Sequence, residues 1–196
     1  MKNEQIRHLI TQIAALEAEL QSALQNQEQK MFFQINGKRV EFEQSIRQAH
    51  KKLKMGIFKW LVVNRPWNLI TGPIIYSMII PLAITDLCVS FYQATCFPIY
   101  GVQKARRSDY IVFDRRQLDY LNWFQKFHCD YCAYGSGLIA YVGEVVARTE
   151  QYFCPIKHAR NIIGTHKRYL NFLDYGDGED FEARLEQFRK DLGQPK

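Results

Sequence analysis

The chain has 196 residues, 47% of them hydrophobic and 23% charged, with a formal charge of +6 and a pI near 9.0. That is enough for one sizeable domain, or a small domain with appendages, and it excludes a disordered tail. The basic balance asks for an acidic partner, which is nucleic acid, an anionic membrane surface or an acidic protein.

The first thirty residues, "MKNEQIRHLITQIAALEAELQSALQNQEQK", are too polar to hold the apolar core of a secretory signal, so the N-terminus is expected in the cytosol. Ile6, Leu9, Ile13, Leu16, Leu20 and Ala23 follow alternating steps of three and four. This spacing predicts a coiled-coil-like helix over 1–30 that pairs with a second copy, or an amphipathic helix packed on its own domain. In "FFQINGKRVEFE", Asn36-Gly37 separates two runs of alternating apolar residues and predicts a small β-hairpin. From Glu43 to Val63 the pattern turns helical and basic, with Arg47, Lys51, Lys52, Lys54 and Lys59 ahead of Trp60 and Trp67. Lysines interleaved with tryptophans mark an interfacial segment, so 31–65 reads as hairpin plus basic juxtamembrane helix.

Residues 66–103 carry one charge, Asp86. A core helix of a soluble protein is rarely so long and uncharged, and membrane embedding is expected. As a single straight helix the stretch would reach about 57 Å, nearly twice the ~30 Å hydrocarbon core. It therefore spans once, stranding Asp86 near the middle, or enters and leaves on one face with a break near Pro81. Basic residues on both flanks, Lys51 to Arg65 and Lys104 to Arg107, favour the re-entrant form with both ends cytosolic. Either topology lets Trp60, Trp67, Tyr92 and Tyr100 sit among headgroups.

Residues 104–196 read as a soluble helical module. Asp114 and Gln117 in "DRRQ" have capping-box spacing and predict a helix that runs to Cys129, with Gly135 to Gly137 breaking the chain before a second helix. "FEARLEQFRKDL" predicts a closing amphipathic helix after an acidic turn that lacks the ligand spacing of a calcium loop.

Cys129 and Cys132 form a C-x2-C pair, and Cys154 and His158 follow at four-residue spacing. A knuckle delivers two thiolates to one centre and a helical turn adds a thiolate and an imidazole, which predicts a Cys3His metal site. Four protein ligands leave no open position, so zinc in a structural role is the first expectation; iron or an iron–sulfur cluster is the alternative. A free dithiol at Cys129 and Cys132, or His128 in place of His158, are further readings. Five cysteines, three of them spaced for metal, point to a reducing compartment. Glu144 and Glu150 are weighed as acid or base groups but read as solvated helix carboxylates, and His166 reads as a surface residue beside Lys167 and Arg168. No nucleophile elbow, phosphate loop or HExxH is present.

At "CFPIYG", "DYIVFDR", "HCDYC" and "RTEQYFCPIKH" the chain resembles a family of small bacterial membrane-associated proteins without an assigned activity. The resemblance covers roughly residues 31–175 and implies only that the greasy segment and the Cys/His cluster occur together.

The expectation is therefore a mainly α protein in four parts: N-terminal helix, hairpin with basic helix, membrane-embedded segment 66–103 and metal module 104–196. Its role would be a zinc-holding docking or scaffold protein on the cytoplasmic side of a bacterial inner membrane, bound to lipids and self-associating through 1–30. A redox protein or metal-dependent membrane enzyme is the alternative, and nucleic-acid binding ranks last because the lysines cluster beside the greasy segment.

Overall fold

A computed structural model describes residues 2–30, 33–36, 39–42, 44–54, 56, 67–160 and 162–193, and the chain is mainly helical. It divides into one unit of Met1–Pro66 with Asp114–Asp130, and another of Trp67–Phe113 with Tyr131–Lys196.

In the first unit, α1 (Lys2–Lys30) follows the three-four periodicity of the sequence. Its stripe stays uncovered, with Leu9, Ile13, Leu16 and Leu20 all exposed. Strands β1 (Phe33–Asn36) and β2 (Arg39–Phe42) pair antiparallel, Phe33 opposite Phe42 and Asn36 opposite Arg39. Gly37, in the turn expected between them, lies outside the described residues. Helix α2 (Gln44–Leu53) stops well before Val63, and Gly56 follows three residues later; the rest of the expected basic helix, with Lys59 and Trp60, lies outside the described residues. Arg47 donates to Asp119 at 2.9 Å, and His50 meets the Tyr120 ring edge-on. Asp114–Gln117 forms a short 3-10 helix, not the start of an α-helix.

That start lies further on. Helix α5 (Trp123–Phe153) opens with a reciprocal cap: the Gln125 N–H donates to Asn122 Oδ1, and the Asn122 N–H donates to Gln125 Oε1, both at 2.9 Å. Two orphan backbone donors are satisfied at once, so the capping box sits at Asn122–Gln125 instead of Asp114–Gln117. From there α5 runs 31 residues without interruption through Gly135 and Gly137. The predicted break is absent because the glycine at 137 serves close packing. A Cβ there would fall 2.5 Å from the Tyr110 carbonyl oxygen and 3.0 Å from Ile111 Cα.

In the second unit, α3 (Trp67–Ser77) and α4 (Ile79–Ile99) follow one another with only a turn at Met78, together forming a 30-residue apolar helix from Ile70 to Ile99. The chain does not reverse near Pro81, as the re-entrant reading required. Pro81 stands in the first turn of α4, where a missing N–H costs no helical bond. After Ile99 the chain turns at Gly101, whose φ of 66° suits a residue without a Cβ, and an irregular strap, 100–113, returns along α4. Ala105 meets Gln93 and Arg107 meets Asp86, each step carrying the strap further back.

Helix α5 packs alongside α4 in the same direction. Tyr131 touches Tyr76, Tyr134 bonds Asp86, Tyr141 bonds Gln93, and Tyr152 stacks near Tyr100. The core lies where α4, the strap, α5 and α6 (Phe181–Gly193) converge, around Phe97, Val102, Ile111, Leu138, Tyr141 and Leu192. The greasy segment and the helical module thus share one core. Tyr92 packs edge-on against Phe97, and Tyr100, which stays exposed, against Tyr152 and Phe153.

Candidate functional site

The four predicted ligands are not brought together. Cys129 and Cys132 lie inside α5, where backbone hydrogen bonding continues through them, so there is no knuckle turn. Cys154 stands one residue past the end of the same helix. At 1.5 Å per residue the 22 positions from Cys132 to Cys154 amount to about 33 Å, far beyond the ~2.3 Å reach of a zinc–thiolate bond. His158 lies in the irregular chain beyond α5; its N–H donates to Tyr169 Oη at 2.6 Å and its ring stacks near the Tyr169 ring. As placed, the four residues do not form one Cys3His cluster. All five cysteines are free thiols, and among the described residues no group of three or more His, Cys, Asp or Glu could hold a metal ion. In α5 the C-x2-C pair takes the i, i+3 spacing of neighbours on one face of a helix.

Two polar constellations stand out instead. On α4, Asp86 is compensated from three directions. Arg107 forks onto both its carboxylate oxygens at 3.1 and 2.6 Å, Tyr134 donates to Oδ2 at 3.0 Å and Ser90 donates to Oδ1 at 3.3 Å. A lone carboxylate at the centre of a membrane helix costs about 2.5–3.5 kcal/mol, and the bidentate pair removes that liability. Two turns along, buried Gln93 spends its whole amide on the core: Oε1 accepts the Ala105 N–H at 2.7 Å, and Nε2 donates to the Ala105 carbonyl and to Tyr141 Oη. The strap is thereby tied to α4 at two levels.

The second constellation ties α5 to the chain that follows it. Glu144 accepts from Arg148 at 2.8 Å and from Arg168 at 2.9 Å; Arg168 also donates to Gln151, which donates on to the Phe188 carbonyl. Burial alone would raise the Glu144 carboxyl, but the two guanidinium groups outweigh it and hold it below its ordinary value. Glu144 is therefore no solvated helix carboxylate. His166 is not a surface residue either: its Nε2 faces Glu150 at 2.8 Å, and its Nδ1 accepts the Tyr169 N–H that opens a 3-10 turn. Every group in this cluster has a structural partner, so it fastens the 155–175 segment and leaves no free acid or base.

What remains uncovered is the apolar surface of α3–α4. The helix is long and apolar enough to cross a membrane, and none of its most apolar window is buried. Ile80, Ile84, Leu87 and Phe91 recur on the exposed face, whereas Leu82, Asp86, Val89 and Gln93 line the packed one. Sequence reading named Asp86 but missed Arg107 as its partner, although Arg107 is among the first cations beyond the greasy stretch. Glu144 and Arg148 were legible as an i, i+4 pair; Gln93 and Arg168 gave no local signal. No protein-family model, curated protein or solved structure matches the chain.

Proposed function

We propose that the protein is a non-catalytic membrane anchor, in which α3–α4 seats the second unit in a bilayer and α1 presents its Ile/Leu stripe to a second copy of the chain. The carrying observation is the exposure of ten large apolar side chains between Ile70 and Ile99. Covering them is worth on the order of 10 kcal/mol, comparable to the whole stability of a domain, so water is the wrong solvent for this face. The compensation of Asp86 by Arg107 and Tyr134 supports the same reading, because a membrane helix is where an unpaired carboxylate costs most. The basic flanks favour the cytoplasmic face. Docking is the role that fits a protein whose described polar clusters are internally satisfied and whose α1 and α3–α4 leave apolar stripes exposed.

Fractionation tests it. The full chain should sediment with membranes and resist extraction by alkaline carbonate, then move to the supernatant with detergent. Recovery of folded protein in the soluble fraction without detergent overturns the proposal.

A further inference from the structure

We infer that α3–α4 lies in the plane of one leaflet, wetted by lipid on its outer face only, with anionic lipid headgroups bound by the strap beside it. This deepens the membrane reading above and rests on it.

The argument starts from Arg107. Because it pairs with Asp86, the strap reaches the level of the middle of the Ile70–Ile99 helix, some 13 residues or about 20 Å back from its C-terminal end. It brings with it Lys104, Arg106 and Asp109, all exposed. If the helix crossed a bilayer, these three charges and several irregular backbone units would lie at hydrocarbon depth, where exposed irregular backbone is not tolerated. Arg107 itself is neutralised by Asp86; Lys104 and Arg106 are not needed for that pairing.

Length points the same way. Thirty helical residues reach about 45 Å against a hydrocarbon thickness of about 30 Å, yet exposed large apolar residues extend from Ile70 to Ile99 with no charged residue on that face. A span would push a third of that face out of lipid, whereas a helix lying flat keeps all of it in contact.

The faces are also segregated as an in-plane helix requires. Ile80, Ile84, Leu87 and Phe91 form the outer stripe, while α5 and the strap cover the opposite side through Leu82, Asp86 and Gln93. In the strap, Lys104 and Arg106 are exposed cations outside the Asp86 pair, against one exposed acid, Asp109. Cations at that height meet phosphate and carboxylate headgroups, which is the charge complementarity that selects an anionic leaflet.

The test uses the full chain with its five native cysteines replaced by serine, and single nitroxide labels at Ile74, Ile84, Leu87, Phe91 and Ile99. All five positions are exposed, so the labels leave the core intact. On vesicles of phosphatidylcholine with phosphatidylserine, collision with oxygen and with a water-soluble relaxant should place all five at one shallow depth. A profile deepest at Ile84 and Leu87 and shallow at both ends means a span and overturns the inference while leaving the membrane anchor intact. Failure to bind any vesicle overturns both. In a second arm, Lys104→Gln and Arg106→Gln should each weaken binding to phosphatidylserine vesicles about fivefold and leave binding to pure phosphatidylcholine unchanged. Equal binding by variants and parent on both vesicles refutes the headgroup contact.

Discussion

Helices α1 and α5 have almost the same length, 29 and 31 residues, and both carry apolar residues at steps of three and four. In α5 that stripe is covered: Leu138, Tyr141 and Val145 are at most 2% exposed. In α1 the corresponding stripe is open, Leu16 remaining 63% exposed. Periodicity therefore specifies which face of a helix avoids water and is silent on what covers it. For α5 the cover comes from the same chain, namely α4, the strap and α6. For α1 nothing among the described residues covers Leu9, Ile13, Leu16 or Leu20.

Substitution separates the two helices most sharply at their central leucines. Leu138→Ala should destabilise the second unit by about 2–5 kcal/mol, since a fully buried side chain leaves a cavity. Leu16→Ala should leave that unit's denaturation midpoint unchanged and lower the sedimentation coefficient of the full chain in detergent. Equal losses of stability from the two would mean that α1 is core, against its exposure. Gly137 sharpens the contrast. On an isolated helix Gly→Ala stabilises by about 1 kcal/mol. At 137 the added Cβ meets the Tyr110 carbonyl, so the sign should reverse, to a loss of about 1–3 kcal/mol by denaturant titration.

These pairs also mark how far sequence reading reached. The helical character of 2–30, most of 67–99 and 181–193 was legible because periodicity and hydropathy are local properties. The start of α5, its run through Gly135 and Gly137 and the placing of Cys129 and Cys132 within it were not. Each turned on a residue whose meaning is tertiary: Gly137 admits the strap, and Cys132 is one helical position among others once α5 continues past it. Asp86 was legible as a problem, but its solution lay 21 residues away in a strap whose regular structure is one short 3-10 turn at Arg107–Asp109.

The polar side of α5 offers a subtler test. The folded Glu144 carboxyl is held below its ordinary value of 4.5 by Arg168 and Arg148 against the opposing effect of burial. A depressed acid contributes stability that is whole above the unfolded value and drains as pH falls through the folded one. Stability of the second unit should therefore decline below about pH 4.5. Glu144→Gln should cost about 1–3 kcal/mol at neutral pH, because two guanidinium groups lose their acceptor. It should also flatten the acid limb; an unchanged limb would assign the pH dependence to other carboxylates.

The smallest expected effect concerns where α5 begins. Asn122 is only 2% exposed, and its side chain accepts the Gln125 N–H while Gln125 returns the bond to the Asn122 N–H. Asn122→Ala removes one bond of this pair and should cost about 1 kcal/mol, whereas Asn122→Asp, which keeps the acceptor and suits the positive end of the helix dipole, should cost little. Asp114→Ala, at the cap position that sequence spacing alone favours, should have no comparable effect on helix content, because Asp114 opens only a short 3-10 turn. Circular dichroism through thermal unfolding of the three variants discriminates the two starts. If Asp114→Ala proves the costlier, the helix begins eight residues earlier than Trp123, as the sequence spacing indicates.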